Sequence, residues 1–159
     1  MIILGIDPGL NRMGYGLIAM NNETPEVVDF GLIKTFADEK LHIRLQKIHN
    51  DIQTIIELNT PSAMAVENVF YAKNVKSMMK LGHARGMALL CAAQKDIPLY
   101  EYSPRKVKQA VTGNGNASKE QVGYMVEKIL NLKDVNMPLD ASDALGVALC
   151  HLQQFRYDD

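Results

Sequence analysis

The sequence predicts an α/β fold: one mixed sheet, an antiparallel meander continued by parallel strands, with helices on both faces. Two patterns carry this. The first 36 residues hold three short apolar, β-prone runs separated by Pro, Gly and Asn turns, as an antiparallel meander does. Beyond Asp38, stretches of helical periodicity alternate with short apolar runs, which is how crossover units lay down parallel strands. No linker and no internal repeat interrupts the order, so residues 1–159 read as one domain with a core of its own.

Strands are expected at Ile2–Ile6, Gly14–Met20 and Val27–Phe36. Asp38 reads as a helix start, and Leu41, Leu45, Ile48, Ile52, Ile55 and Ile56 then hold one apolar face until Pro61 ends the element. Ala63–Val66 is too uniformly apolar to be amphipathic and reads as a strand buried on both sides. Val75–Lys95, rich in Ala, Met and Leu, reads as a helix, and Leu99–Tyr102 as another strand. Ser103-Pro104 supplies an N-cap with proline at the first helical position. After the turn Thr112-Gly-Asn-Gly-Asn-Ala-Ser118, the run Ser118-Lys-Glu-Gln121 opens a helix as a capping box. Pro138 precedes a last helix from about Leu139 to Phe155.

With 47% hydrophobic and 22% charged residues the composition is that of a globular protein rather than a disordered one. No apolar run reaches the ~18 residues of a membrane span, and no signal-peptide pattern opens the chain. Cys91 and Cys150 sit in apolar helical contexts and read as reduced core residues, so a cytoplasmic setting without membrane contact is expected. The net charge of −1 is unevenly spread. Phe70–Lys128 carries ten Lys/Arg against four acids, +6, and the remainder is −7. A basic middle beside acidic sequence suits a chain that holds both a polyanion and neutralising cations, although solvated helix lysines give the same count.

Four carboxylates stand in apolar surroundings. Asp140 and Asp143, three apart in an otherwise apolar helical run, share a helix face and repel by a few tenths of a kcal/mol unless something offsets them. Asp140 alone fits a helix start after Pro138, but Asp143, one turn further in, does not. Asp7 closes the first strand before Pro8-Gly9, where turn chemistry is the competing explanation. The glycines around it, Gly5, Gly9, Gly14 and Gly16, make no dinucleotide fingerprint, because a strand rather than a helix follows. Glu67 ends the buried Ala63–Val66 run and needs a metal or a cationic partner there. Two strand ends and a helix face can converge at one sheet edge, and an all-carboxylate set selects Mg²⁺ or Mn²⁺ over zinc. His42, His49, His83 and His151 form no zinc spacing and read as structural, with only His151 close enough in sequence to Asp143 to approach the site. Without metal, at least one of the four carboxyls should titrate high through like-charge repulsion.

Together these residues make the chain resemble the RuvC family of Holliday-junction resolvases, of ribonuclease-H-like fold. The resemblance spans nearly the whole length and is carried by Gly5-Ile-Asp7-Pro-Gly9, Glu67-Asn-Val-Phe70, Lys80-Leu-Gly-His-Ala-Arg-Gly86, Lys106-Val-Lys-Gln109, Gly113-Asn-Gly-Asn-Ala-Ser-Lys119 and Asp140-Ala-Ser-Asp143. It implies that Asp7, Glu67, Asp140 and Asp143 bind two Mg²⁺ per subunit, with Mn²⁺ substituting, for two-metal hydrolysis of a phosphodiester. It further implies a homodimer nicking opposed strands of a four-way DNA junction symmetrically, in recombination and repair, alongside a branch-migration motor of the RuvA–RuvB type. Lys108 and Lys119, surface lysines by pattern alone, fall on positions of catalytic or DNA-contacting lysines. Phe70 falls on that of a base-stacking aromatic, though Phe70-Tyr71 could equally be core. Tyr71, Lys73, Lys76, Lys80, Arg85, Arg105 and Lys106 are the further DNA contacts expected. The helix carrying Gly82 and Gly86 is a candidate dimer surface, with intramolecular packing as the alternative. The sequence closes in Gln-Gln-Phe-Arg-Tyr-Asp-Asp without the longer basic tail of some relatives, and no site residue is replaced.

Two other functions fit parts of this pattern. A non-cleaving module that holds branched DNA would share the basic segment, but an unmetallated acidic cluster repels phosphates. An ATPase or phosphotransferase on the same fold would want a second Gly-rich phosphate loop and a longer chain.

Overall fold

The computed structural model describes residues 1–68 and 73–157. Five strands and five helices follow one another as β1 Ile2–Asp7, β2 Arg12–Asn21, β3 Thr24–Lys34, α1 Leu41–Asn59, β4 Ala63–Glu67, α2 Val75–Gln94, β5 Leu99–Tyr102, α3 Pro104–Thr112, α4 Lys119–Ile129 and α5 Leu139–Tyr157. The sheet order is β3-β2-β1-β4-β5. β1–β2 and β2–β3 pair antiparallel, while β1–β4 and β4–β5 pair parallel. This is the mixed sheet the sequence predicts, with the two crossovers running through α1 and α2.

Strand alternation divides the core into two layers. Leu4, Ile6, Met64 and Val66 face Ile48, Ile52, Ala84, Ala88 and Cys91 of α1 and α2. Ile3, Ala63 and Ala65 face Val107, Val126, Leu145 and Ala148 of α3, α4 and α5. Both cysteines are free and buried, and burial pushes each thiol up to about 11, the behaviour of inert core residues. Among the described residues no helix is long and apolar enough to cross a membrane.

The local chemistry of the helix starts is as the sequence predicts in two cases and not in a third. Ser103 Oγ accepts from the Lys106 amide at 3.2 Å with Pro104 at the first helical position. Ser118 and Gln121 form the reciprocal capping box. Asp38, however, does not start α1: the Glu39 amide donates to the Phe36 carbonyl at 3.1 Å, a turn consumes these residues, and the helix opens at Leu41 behind Lys40, whose side chain makes no capping bond.

α5 lies unusually close to the sheet because glycines leave room for it. A Cβ on Gly5 would sit 2.1 Å from the Ala144 carbonyl oxygen, and one on Gly14 would sit 1.8 Å from that of Asp140. No side chain fits in those gaps, so the backbone of α5 rests directly on β1 and β2 and its first turn is held over the end of β1. Gly14→Ala must push this turn outward. It should cost about 1–3 kcal/mol by overpacking and, in a manganese titration, weaken divalent-ion binding more than a core substitution of equal stability cost.

Candidate metal centre and nucleic-acid face

β1 and β4 run parallel with Ile6 beside Val66, so they release Asp7 and Glu67 side by side at one edge of the sheet. Alternation sends both toward α5, since Ile6 and Val66 point the other way into the α1–α2 layer. The first two turns of α5 supply Asp140 and Asp143 to the same place. One carboxylate oxygen from each of Asp7, Asp140 and Asp143 falls within 4.8 Å of the others. Asp7, Glu67 and Asp143 also line a cavity of about 260 Å³ floored by Val107 and Val122. Oxygen-only donors from three elements, half-buried and mutually repelling, are a donor set suited to hard divalent cations.

The electrostatics say the same. Asp7 is pushed up to about 8, first by burial and then by Glu67, Asp143 and Asp140, with Lys119 opposing. Burial likewise raises Glu67, with Asp143 adding to it and Lys119, a hydrogen bond with Asp7 and Lys108 acting against it. The sequence anticipates raised carboxyls, but through repulsion; burial is the larger cause. A cluster that must keep a proton at neutral pH when alone is one that a divalent cation can ionise fully.

Two lysines face this cluster from the α3–α4 side. Lys119, the first residue of α4, places Nζ 3.2 Å from Asp143 Oδ2, and that contact raises its pKa above the ordinary lysine value. Lys108, from α3, lines the same cavity. Lys73, Lys76 and Lys80 are exposed at and before the start of α2. Arg105 and Lys106 are exposed on α3, where Arg105 Nη1 donates to Asn116 Oδ1 at 3.0 Å and Lys106 lies over the Tyr102 ring. Arg85 is engaged differently, paired with Glu101 of β5. Phe70 and Tyr71 lie outside the described residues.

His151 does not approach the carboxylates. It is 1% exposed, its Nδ1 is hydrogen-bonded to the Tyr102 hydroxyl at 2.6 Å, and its ring packs between Tyr100 and Phe155. Burial lowers its pKa, so the imidazole is a neutral structural group.

Comparison with known proteins decides the family. The family model for "Crossover junction endodeoxyribonuclease RuvC" matches residues 3–151. The chain belongs to the RuvC family. Crossover junction endodeoxyribonuclease RuvC of Cytophaga hutchinsonii is 50% identical over 96% of this chain and 76% of its own. That of Natranaerobius thermophilus is 44% identical over 98% and 97%. Among solved structures, Thermus thermophilus RuvC in complex with a Holliday junction substrate superposes with a TM-score of 0.94 at 34% identity, over 99% of this chain and 96% of that one. The five-stranded sheet is therefore the ribonuclease-H-like sheet of this family.

Two parts of the site escape the sequence reading. The glycines that seat α5 are one. The other is Arg44 of α1, 6% exposed and without a carboxylate partner among the described residues. Its Nε donates to Thr35 Oγ1 at 2.9 Å and its Nη2 to Asn11 Oδ1, while Thr35 Oγ1 donates to the Leu10 carbonyl at 2.6 Å. These bonds pin the turn that follows Asp7. A basic residue inside an apolar helix face is the signal that could have found it.

Proposed function

We propose that the protein is a divalent-metal-dependent, structure-selective endonuclease that resolves four-way DNA junctions by paired symmetric nicks. The observation that carries this is the convergence of Asp7, Asp140 and Asp143 within 4.8 Å, with Glu67 beside Asp7 and two lysines opposite. The donors fit Mg²⁺, with Mn²⁺ able to substitute, and the four carboxylates offer enough oxygens for two ions. Such ions supply an activated water and charge neutralisation for phosphodiester hydrolysis. The chain itself does the rest. Strand ends and the α5 turn fix the carboxylates on rigid elements, so the cage is formed before substrate arrives. Lys108 and Lys119 stand across from them and offset the negative charge that develops on the scissile phosphate. Lys119→Met should slow single-turnover nicking by on the order of 10²-fold, whereas Lys128→Met, away from the cluster, should leave it unchanged.

Paired nicking needs two such centres, and α2 offers a surface for a second copy of the chain. Val75, Met79 and Leu90 are 77%, 59% and 43% exposed, and they share a helix face with Gly82 and Gly86. A Cβ on either glycine would meet nothing within 4 Å, so the notches are not used inside the protomer. Apolar residues around two notches suit close helix-on-helix packing in a homodimer. Coupling to a branch-migration motor of the RuvA–RuvB type rests on family membership alone.

The test is a junction-cleavage assay with each strand end-labelled in turn. Mg²⁺ should yield nicks at symmetric positions on two opposed strands, and EDTA none. A folded dimer that cuts no junction of any core sequence refutes the reading.

A further inference from the structure

By residue count the N-terminal meander belongs to the acidic part of the chain, yet its edge beside the metal centre is basic. Arg12 and Lys34 are direct cross-strand partners at the ends of β2 and β3. Side chains of directly opposed residues leave a sheet on the same side, and like charges so placed are destabilising. Both are exposed, and among the described residues neither has an ion-pair or hydrogen-bond partner. Arg12, with Asn11, Ser77, Lys80 and Asp140, lines a cleft of about 520 Å³, and Lys34 stands beside it as its cross-strand partner. Asp140 also belongs to the carboxylate cluster, so this cleft meets the metal centre on the side away from Lys108 and Lys119. The wall that presents Arg12 is rigid, because buried Arg44 and Thr35 hold Leu10 and Asn11 in place.

We propose that Arg12 and Lys34, with Lys80 across the cleft, form a second phosphate track that grips the sugar–phosphate backbone of one junction arm. The inference rests on the nuclease reading and extends it. The scissile strand passes between two cationic walls: Lys108 and Lys119 on one side of the carboxylates, and Arg12, Lys34 and Lys80 on the other. An unpartnered cationic pair at a rigid sheet edge is disfavoured by itself and relieved when a polyanion lies across it. Such contacts orient the duplex without reading its sequence.

Binding anisotropy on a labelled four-way junction, with Ca²⁺ in place of Mg²⁺ and KCl varied, tests this. The Arg12→Gln/Lys34→Gln double variant should bind on the order of tenfold more weakly near physiological salt, and its slope of log affinity against log salt should be shallower by about 2. Wild type should prefer long-armed to short-armed junctions, and the double variant should lose that preference. Arg12→Lys/Lys34→Arg, which keeps both charges, should retain wild-type affinity and slope. If the double variant does not fold, Lys34→Gln alone carries the test, with a slope change of about 1. A folded glutamine variant with wild-type affinity and slope overturns the track, as does equal weakening in the charge-preserving swap. Failure of wild type to bind any junction is a separate result, and it overturns the nuclease reading on which the track rests.

Discussion

Asp7→Asn lowers junction nicking by at least about 10³-fold while leaving the protein folded and able to hold the junction. Asp7 lies at the centre of the cluster, beside Glu67 and within 4.8 Å of Asp140 and Asp143 through their nearest oxygens. Its loss removes a donor that no neighbouring side chain replaces among the described residues. The amide is nearly isosteric with the protonated carboxyl that metal-free Asp7 keeps up to about pH 8, so at neutral pH the mutant site repels a phosphate about as much as the bare wild-type cluster does. Junction affinity in EDTA should therefore hold, and single-turnover cutting in Mg²⁺ should vanish. This pair of readouts separates a nuclease from a module that only binds branched DNA. For a binding module, the substitution would leave behaviour in Mg²⁺ almost unchanged.

The second large effect is a loss of stability with rising pH in the metal-free protein. Folded Asp7 keeps its proton up to about pH 8, whereas in the unfolded chain it ionises near its ordinary value of 3.8. Between those limits the folded state binds more protons than the unfolded one, so stability is complete at the acidic end and is lost as pH rises toward 8. Glu67 is raised as well and acts in the same direction. In EDTA the wild type should lose roughly 2–5 kcal/mol between pH 5 and 8, read from urea unfolding at fixed pH values. Asp7→Asn should remove most of this slope. Saturating Mg²⁺ should also flatten or invert it, because an ion that binds only the folded protein stabilises it by mass action and favours the ionised carboxylates. An unchanged slope in the asparagine variant would assign the loss to other groups.

The acids were legible in the sequence because they violate their surroundings. A carboxylate in Ala63–Glu67 or in the Asp140–Leu149 run has no amphipathic excuse, and the structure places both at the cluster. The capping residues Ser103 and Ser118 were legible because capping is a contact within four residues. What stayed hidden depends on distant partners. Gly5 and Gly14 are read only as failing to make a dinucleotide fingerprint; their reason is the backbone of α5, more than a hundred residues later in the chain. Asp38 reads as a helix start, and a turn over the same residues displaces the start to Leu41. The basic edge at Arg12 and Lys34 vanished into a segment count, since only strand register brings those two side chains together. For the titration, the sequence showed the like charges but not the depth of the site.

The proposed cage for divalent ions gathers Asp7, Glu67, Asp140 and Asp143 at the edge of the sheet. Anomalous diffraction at the manganese edge, from crystals soaked in Mn²⁺, locates any ions bound there. Two peaks are expected among these four carboxylates, and none in the Asp7→Asn protein under the same soak. Peaks elsewhere on the surface with none in the cage, in crystals that diffract well, would contradict it.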